Sequence, residues 1–596
     1  MSRFFKQVCT IAIGCFMALM GLCLLMVYLF SFTIGADKEY AIKESSILTL
    51  SMQGKVIEVN APEDSLCSLF EVGKEKNRNI DLRKLKRAIQ VATADERIKA
   101  IFLKVSPLFN GGWAALEEIR EALLSFKKMG KPIVAYGAPS YTNKSYYIAS
   151  VADDIVLHPD GQVLFKGLAA TVYFYTKLLQ QLSIEPVIFR VGKCKSYVEP
   201  FCLNQMSAEN RQQIEVYLSD IYNHFLGNIS LARNIPVPKL KQLAHNLSAI
   251  LPCDAQQAAL ITKIDCEEGA RELFQKQYVK TTNKKDINFI DYRNYLWDKR
   301  VAAKQDQAAC KNRVAVIVAE GEIVDDCSSD PNYLGGDTFI RNVKAVQEDP
   351  TVKAVVLRIN SPGGLAYVSE SMWRAIEELK KTKKVVASLS DMAASGGYYM
   401  AAPCHYIFAH PTTLTGSIGI FALLFNPEPL MQKIGIEQDV VKTAPSADWG
   451  ISRIKCTLEE TKLINRCLQE GYASFLDKVC KGRNMTLTQA EAVADGRVYT
   501  GKMAVANGLV DALGDLEAAV VKAAELAELT EKYETIYFPF PRSRWERLLR
   551  YIGKDISGKE PMLTALQKEY PFLQQLARTR SQQGIQALLP YTVAIA

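Results

Sequence analysis

Two long segments of this sequence align with each other at a nearly constant offset. An offset of 252 places His410 on His158, while an offset of 254 places Lys353 on Lys99. Beyond residue 470 the offset settles at 250. Repeat arrays have periods of only about 20 to 50 residues, so this spacing predicts two tandem copies of a whole domain. A chain of 596 residues has room for both.

Each copy repeats the order strand, helix, strand. Apolar runs predict the strands, and a period of 3.6 residues predicts the helices between them. These segments are residues 100–105, 113–128 and 132–136 in copy one, and residues 354–359, 369–381 and 384–389 in copy two. Such alternation predicts an α/β fold in which parallel sheets are covered by helices.

The N-terminal region predicts a membrane anchor. Residues 8–34 form a run of 27 without a charged side chain, and a spanning helix needs about 20. Arg3 and Lys6 precede the run and Asp37 follows it, which predicts a cytoplasmic N-terminus with the remaining chain outside. The alternative is a signal peptide cleaved near Ala36, although the apolar stretch of a signal peptide is only about 7–15 residues long.

Five segments follow from these observations. They are a cytoplasmic tip with the anchor, copy one, a polar connecting segment, copy two and a C-terminal tail. Their predicted bounds are residues 1–38, 45–273, 274–312, 313–530 and 531–596.

Composition narrows the classes of function. The net charge of +8 comes from Lys and Arg scattered among Asp and Glu, so we expect no nucleic-acid partner. The 14 cysteines form no CxxC pair and have no histidine at metal-ligand spacing, so we expect neither a metal site nor a disulfide scaffold. One or two disulfide bridges remain compatible with an oxidising compartment.

The copies differ where a nucleophile could lie. Copy two has Ser395 followed by two glycines, and copy one has Asn143 at the equivalent position, although the tyrosine pairs that follow match. Ser395 comes after a predicted strand and before a helix, where it could act as a nucleophile beside the N–H of Gly396 or only cap the helix. Gly363 and Gly364 form a second loop, which fits either an oxyanion hole or a tight turn.

A serine nucleophile needs a base, and the five histidines offer little. His405, ten residues after Ser395, is the one rival. Lys195 is the better candidate, because copy two has Ala447 at the equivalent position. Copy one therefore has the lysine without the serine, and copy two has the serine without the lysine. Burial can lower a lysine pKa to roughly 7–8, which makes the amine a general base. Ser417 is aligned with Phe165 of copy one, so its hydroxyl is also particular to copy two. By hydrogen bonding, this hydroxyl could orient the lysine amine.

Several runs together resemble a known family. They are GKCKSYVEPF (residues 192–201), RINSPGG (358–364), MAASGGYYMA (392–401), LTGSIGIF (414–421) and ADGRVYTGKMAVANGLVD (494–511). In this order they resemble the long, duplicated form of the bacterial signal peptide peptidases of family S49, which are Ser-Lys proteases. The resemblance covers nearly the whole chain after residue 38.

The resemblance implies a role for each candidate residue. Ser395 is the implied nucleophile, Lys195 the general base and Ser417 the partner that orients the lysine. The implied oxyanion donors are the N–H of Gly396 with that of Gly363 or Gly364. Asp391 and Cys194 depart from the sequence pattern that the family leads us to expect, but neither departure removes a catalytic atom.

The resemblance also implies a setting. The fold is similar to that of Clp protease and crotonase, and the assembly is a ring-like homotetramer. No cofactor or metal is needed. The partners are peptide substrates, chiefly cleaved signal peptides, and the bacterial inner membrane, which holds the chain by its N-terminal helix with the catalytic part in the periplasm.

Two other functions fit parts of the sequence. A membrane-anchored scaffold or binding protein on the same fold would have a degraded catalytic set, whereas the expected residues are present. A crotonase-type enzyme acting on acyl thioesters would leave Ser395 and Lys195 without a role. Because Lys195 lies in copy one and Ser395 in copy two, the sequence predicts one active site where the copies meet.

Overall fold

A computed structural model describes most of both copies. The described residues are 14, 17, 20, 21, 42–59, 79–279, 287–298, 301, 312–325, 332–450, 453–538, 586–588 and 594–595. Nearly all of the predicted anchor, residues 8–34, lies outside them, as does most of the predicted tail. Among the described residues, no helix has both the length and the apolar character needed to cross a membrane.

Copy one alternates strands and helices. Its strands are β1 (Ser46–Met52), β2 (Val56–Ile57), β3 (Ile80–Asp81), β4 (Ile98–Val105), β5 (Ile133–Gly137), β6 (Ser140–Thr142), β7 (Asp154–Leu157), β8 (Gln162–Leu164), β9 (Ala170–Thr171), β10 (Glu185–Val191), β11 (Lys263–Ile264) and β12 (Asn288–Asp291). Its helices are α1 (Leu82–Ala94), α2 (Trp113–Lys128), α3 (Asn143–Ala149), α4 (Thr176–Gln181), α5 (Glu199–Cys202), α6 (Ala208–Arg233), α7 (Val237–Asn246), α8 (Pro252–Gln257), α9 (Glu267–Leu273) and α10 (Tyr292–Tyr295), with a 3₁₀ turn at Ser196–Val198 and a π turn at Phe274–Tyr278.

Copy two and the C-terminal residues follow the same alternation. The strands are β13 (Arg313–Glu320), β14 (Glu322–Val324), β15 (Tyr333–Gly335), β16 (Val352–Ser361), β17 (Gly363–Leu365), β18 (Lys384–Ala394), β19 (Tyr406–Ala409), β20 (Leu414–Gly416), β21 (Ile420–Asn426), β22 (Val498–Thr500), β23 (Ala512–Leu513), β24 (Glu534–Phe538), β25 (Gln586–Leu588) and β26 (Ala594–Ile595). The helices are α11 (Gly336–Glu348), α12 (Ala366–Lys380), α13 (Gly396–Ala401), α14 (Glu428–Lys433), α15 (Leu458–Arg483), α16 (Leu487–Val493), α17 (Gly501–Ala506) and α18 (Leu516–Leu526).

Each copy has its own sheet, and the predicted α/β fold with parallel sheets is confirmed. Copy one forms a parallel sheet in the order β11-β7-β5-β4-β1-β12. Copy two has the order β22-β20-β18-β16-β13-β24, parallel except at β22. Successive side chains of β16 pack into two cores on opposite faces, so the strand reads as a continuous apolar run.

The duplication predicted from the offsets is present in the elements. Helices α6 and α15 are both 26 residues long, and both end at an asparagine in the left-handed conformation, Asn234 and Asn484. Strands β8 and β20 are related by the offset of 252, and helices α1 and α11 by the offset of 254. The sheets extend beyond the predicted boundaries at 273 and 530, because β12 pairs with β1 and β24 pairs with β13.

A third sheet joins the copies. Its order is β10-β21-β25-β17-β14-β15, so it combines a strand of copy one, strands of copy two and the C-terminal strand β25. Strand β10 runs antiparallel to β21, with Val191 opposite Ile420. Because β10 leads into the Lys195 loop and β21 follows Ser417, this pairing brings the two loops together.

Candidate active site

Lys195 lies at the boundary between the copies. Its loop leaves β10 at Gly192, and the side chain is fully buried. The Lys195 Nζ is 2.7 Å from Ser395 Oγ, 3.0 Å from the Ser417 carbonyl oxygen and 3.0 Å from Ser417 Oγ. The structure therefore brings together, within one chain, the three side chains that the sequence predicted to cooperate.

Ser395 lies at a strained turn between β18 and α13. Its φ of 55° and ψ of −115° fall where a residue with a Cβ is rarely found. The Ser395 N–H donates to the Gly416 carbonyl at 2.8 Å, which anchors the turn. A sharp strand-to-helix turn that presents a serine hydroxyl is the geometry of a nucleophile elbow.

Ser417 contacts the lysine amine through two acceptor atoms. Ser417 also has a positive φ, of 51°, and its N–H donates to the Arg497 carbonyl at 2.7 Å. The left-handed turn directs both the carbonyl oxygen and the hydroxyl of Ser417 at Lys195. A neutral amine has two N–H groups for these two acceptors and one lone pair, which can accept the Ser395 hydroxyl proton.

The electrostatics favour this neutral amine. Burial lowers the pKa of Lys195 well below its ordinary value, because the interior cannot solvate an ammonium group. Ser395 and Ser417 are also fully buried. An uncharged lysine in contact with a serine hydroxyl can act as a general base and then return the proton to a leaving group.

Gly363 and Gly364, which the sequence predicted to form a loop, lie instead in strand β17. This strand contacts helix α13, which begins directly after the nucleophile. A Cβ on Gly364 would lie 2.0 Å from the Ile323 carbonyl oxygen, so only glycine fits there. The N–H of Gly363 donates to Ser361 Oγ at 3.2 Å, while Gly396 opens α13 and has no partner for its N–H within that helix. The oxyanion role of these glycines stays a prediction.

The rival base lies far from the nucleophile. The His405 Nδ1 contacts the backbone of Val385, at the start of β18, whereas Ser395 follows the end of that strand. Ten extended residues span roughly 30 Å. Burial also lowers the pKa of His405, but at this distance the ring cannot take a proton from Ser395. The His410 Nε2 contacts a Glu118 carboxylate oxygen at 3.1 Å.

Sequence reasoning missed the residues that support the lysine loop. The Gln213 Nε2 donates to the Cys194 carbonyl at 3.3 Å and to Ser196 Oγ at 3.1 Å, and Gln213 Oε1 accepts the Val498 N–H of copy two at 3.3 Å. Residues 495–497, quoted above within a motif but given no role, contact the same loop. An apolar or polar pattern cannot reveal such contacts, because they join segments far apart in sequence.

The two departures noted in the sequence lie close to the boundary between the copies. The half-buried Asp391 carboxylate accepts the Ala115 N–H at 2.9 Å, so copy two caps the first turn of helix α2 in copy one. A Cβ on Gly112 would collide with this carboxylate, which explains the glycine. The Cys194 side chain is buried, and burial raises the pKa of its thiol.

Comparisons with known proteins identify a family and several relatives of this chain. The family model "Peptidase family S49" matches residues 125–280 and 377–530. "Protease 4" of Haemophilus influenzae is 36% identical over 524 residues, covering 85% of this chain and 83% of that protein. "Protease 4" of Salmonella typhi is 32% identical over 515 residues, covering 84% and 81%. "Serine protease SPPA, chloroplastic" of Arabidopsis thaliana is 31% identical over 542 residues, covering 89% and 76%.

Among solved structures, a mutant ClpP1 from Listeria monocytogenes aligns with 34% of this chain and 94% of its own. The TM-score is 0.24 at 10% sequence identity.

Proposed function

The chain belongs to peptidase family S49 and is a serine protease, and on this premise we propose that it is an endopeptidase whose catalytic pair is Ser395 and Lys195. The observation that carries the proposal is the 2.7 Å contact between Lys195 Nζ and Ser395 Oγ in a fully buried site. Ser417 completes the site by orienting the amine.

The mechanism follows from the hydrogen bonds around the amine. Neutral Lys195 takes the proton of Ser395, and the alkoxide attacks the peptide carbonyl to form a tetrahedral intermediate. The lysine ammonium then protonates the peptide nitrogen, the C–N bond breaks, and the amine leaves an ester-linked acyl-enzyme behind. Water hydrolyses the ester as the lysine again accepts and returns a proton. The N–H of Gly396, with the N–H of Gly363 or Gly364, stabilises the oxyanion in each half-reaction.

The substrates that we propose are extended, apolar peptides, chiefly signal peptides already cleaved from their proteins. Strand β17 pairs antiparallel with β25 through backbone hydrogen bonds, and an extended substrate would bind to the same edge in place of β25. One relative, from Enterococcus faecium, is named "Putative signal peptide peptidase SppA"; it is 34% identical over 230 residues, which cover 38% of this chain and 67% of that protein.

We further propose a single-pass protein of the bacterial inner membrane. Residues 8–34 would form the span, with a cytoplasmic N-terminus and a periplasmic catalytic part, because the cationic residues precede the apolar run. A homotetramer would limit access to the site. Protease accessibility in spheroplasts tests the orientation, and light scattering of the detergent-solubilised chain tests the assembly.

The catalytic pair is tested by hydrolysis of a fluorogenic apolar peptide. Parent, Ser395→Ala, Lys195→Ala and His405→Ala chains are compared at equal concentrations. We expect turnover by the parent and by His405→Ala and background rates for the other two. Equal turnover by all four chains would refute the pair, and an inactive parent would favour a scaffold function.

A further inference from the structure

The segment 495–497 of copy two lies against the loop that carries Lys195. The Lys193 N–H donates to Asp495 Oδ1 at 2.6 Å, and the Cys194 N–H donates to the Asp495 carbonyl at 2.9 Å. Two consecutive N–H groups immediately before Lys195 are thus held by one residue. Asp495 binds the start of this loop with both its side chain and its backbone.

The same segment binds the loop that carries Ser417. The Gly496 N–H donates to the Ile418 carbonyl at 2.8 Å, and the Arg497 carbonyl accepts the Ser417 N–H at 2.7 Å. Three consecutive residues therefore fix the backbone on both sides of the lysine amine. Residues 495–497 therefore form a bridge between the Lys195 loop and the Ser417 loop, and the spacing of the two loops depends on it.

Steric contact and backbone conformation restrict which residues fit at positions 495 and 496. Gly496 has a φ of 76°, and a Cβ there would lie 2.5 Å from the Lys195 backbone nitrogen and 2.8 Å from its Cα. Asp495 also has a positive φ, of 62°, which aspartate and asparagine tolerate better than most residues. Both conformations are needed for the bridge to turn towards Lys195.

Copy one, which lacks the nucleophile, also lacks the bridge. At the offset of 250, positions 495 and 496 correspond to His245 and Asn246, which are still part of helix α7. In copy two, helix α16 ends at Val493, which corresponds to residue 243. Helix α16 therefore ends three residues earlier than α7, and residues 495 and 496 of the bridge lie where copy one is still helical.

We propose that Asp495 and Gly496 are positioning residues of the protease site, which hold Lys195 at the distance from Ser395 that proton transfer needs. This inference rests on the proposed function of Lys195 as the base. Neither residue contacts Ser395 in the reaction. They act by fixing the backbone from which the lysine side chain extends.

Gly496→Ala tests the steric part of the proposal, with Gly130→Ala as its matched control. Gly130 has the same φ of 76°, but nothing lies within 4 Å of a Cβ added there. The two variants therefore suffer similar backbone strain, and only Gly496→Ala displaces Lys195. Since a misplacement of about 1 Å can cost about 100-fold in rate, we expect Gly496→Ala to lose about 100-fold in kcat with KM changed less than threefold. Gly130→Ala should keep kcat within twofold.

Asp495→Asn and Asp495→Ala test the hydrogen bond to Lys193. Asparagine keeps an acceptor oxygen and tolerates the positive φ, so we expect kcat within about threefold of the parent. Alanine loses the acceptor, so we expect kcat to fall by about 10-fold or more. Loosening the loop also admits water to the amine, so the midpoint of the pH dependence of kcat/KM should move to higher pH in Asp495→Ala alone.

The outcomes separate positioning from a general structural role. A loss of kcat shared equally by Asp495→Asn and Asp495→Ala, or one with an unshifted pH midpoint, would overturn the proposal. So would equal losses in Gly496→Ala and Gly130→Ala. If the parent itself does not hydrolyse peptides, the proposed function fails, but a crystal structure of the full-length Asp495→Ala chain still decides. A separation of Lys195 Nζ from Ser395 Oγ beyond about 3.5 Å supports the inference, and an unchanged 2.7 Å refutes it.

Discussion

Replacing Arg358 should strongly weaken the packing between the two copies. Its side chain is 1% exposed, and the guanidinium of this copy-two residue lies between two carboxylates of copy one, Glu58 at 2.9 Å and Glu118. It also donates to the hydroxyls of Ser388 and Ser390 at 3.0 Å each. Both serines belong to β18, the strand that ends at the nucleophile.

The magnitude follows from what the substitution leaves behind. In Arg358→Met, Glu58 stays buried at 5% exposure without its guanidinium, whereas Glu118 keeps Lys86 and His410 as partners. Breaking a buried ion pair costs about 3–5 kcal/mol, and the partners left to Glu118 favour the lower end. For a domain of about 150–250 residues, about 3 kcal/mol corresponds to a fall in Tm of about 6–12 °C.

Thermal unfolding followed by circular dichroism measures the effect. Arg374→Met is the matched control, because Arg374 is 73% exposed and pairs with Glu370 at 2.8 Å on the surface of copy two. Such a pair contributes less than about 1 kcal/mol. Adding Glu58→Gln to Arg358→Met should restore part of the loss, since no unpaired carboxylate then remains there. If the Arg358→Met and Arg374→Met chains have the same Tm, the ion pairs of Arg358 with Glu58 and Glu118 do not stabilise the packing of the two copies.

Three further results are expected. Folding lowers the pKa of Lys195, so the parent takes up a proton when it unfolds below about pH 10.5. We therefore expect Lys195→Met to be more stable than the parent at pH 7 and to lose this advantage towards pH 10. Urea titrations measure the difference. Burial and the neighbouring Glu58 carboxylate raise the pKa of Glu320 to about 8, so Glu320→Gln should gain stability over the parent as pH rises from 5 to 8, by at most about 1.4 kcal/mol per pH unit. Deleting residues 586–596 removes the strand that pairs with β17, and we expect a lower KM for short peptides with kcat unchanged; an unchanged KM would show that β25 does not compete with substrate.

The fold and the contact between Lys195 and Ser395 could be predicted because both leave signals in the sequence. The helix predicted at residues 113–128 has those bounds in the structure, since its apolar face repeats at 3.6 residues. Lys195 and Ser395 emerged from comparing two copies at a fixed offset, where each departure marks a position that one copy alone uses. The roles of these residues stay predictions, although the structure places them in contact.

The pairing of β10 with β21 could not be predicted. The apolar pattern of residues 186–191 is typical of a strand, but nothing in that pattern specifies a partner strand more than 200 residues away. The strained conformation of Ser395 and the complete burial of Lys195 also left no signal of their own in the sequence. Asp391 appeared to be a departure for the same reason, because its partner, Ala115, belongs to the other copy.

The reciprocal difference between the copies extends from side chains to whole strands. At the offset of 252, β10 corresponds to residues 437–443, all of which the structure describes and none of which is in a strand. Strand β21 corresponds to residues 168–174, of which only β9, two residues long, is a strand. Copy one therefore keeps the strand that carries the lysine loop, and copy two keeps the strand that follows Ser417. Each strand finds its full-length partner only in the other copy, so the chain assembles one site of this kind rather than two.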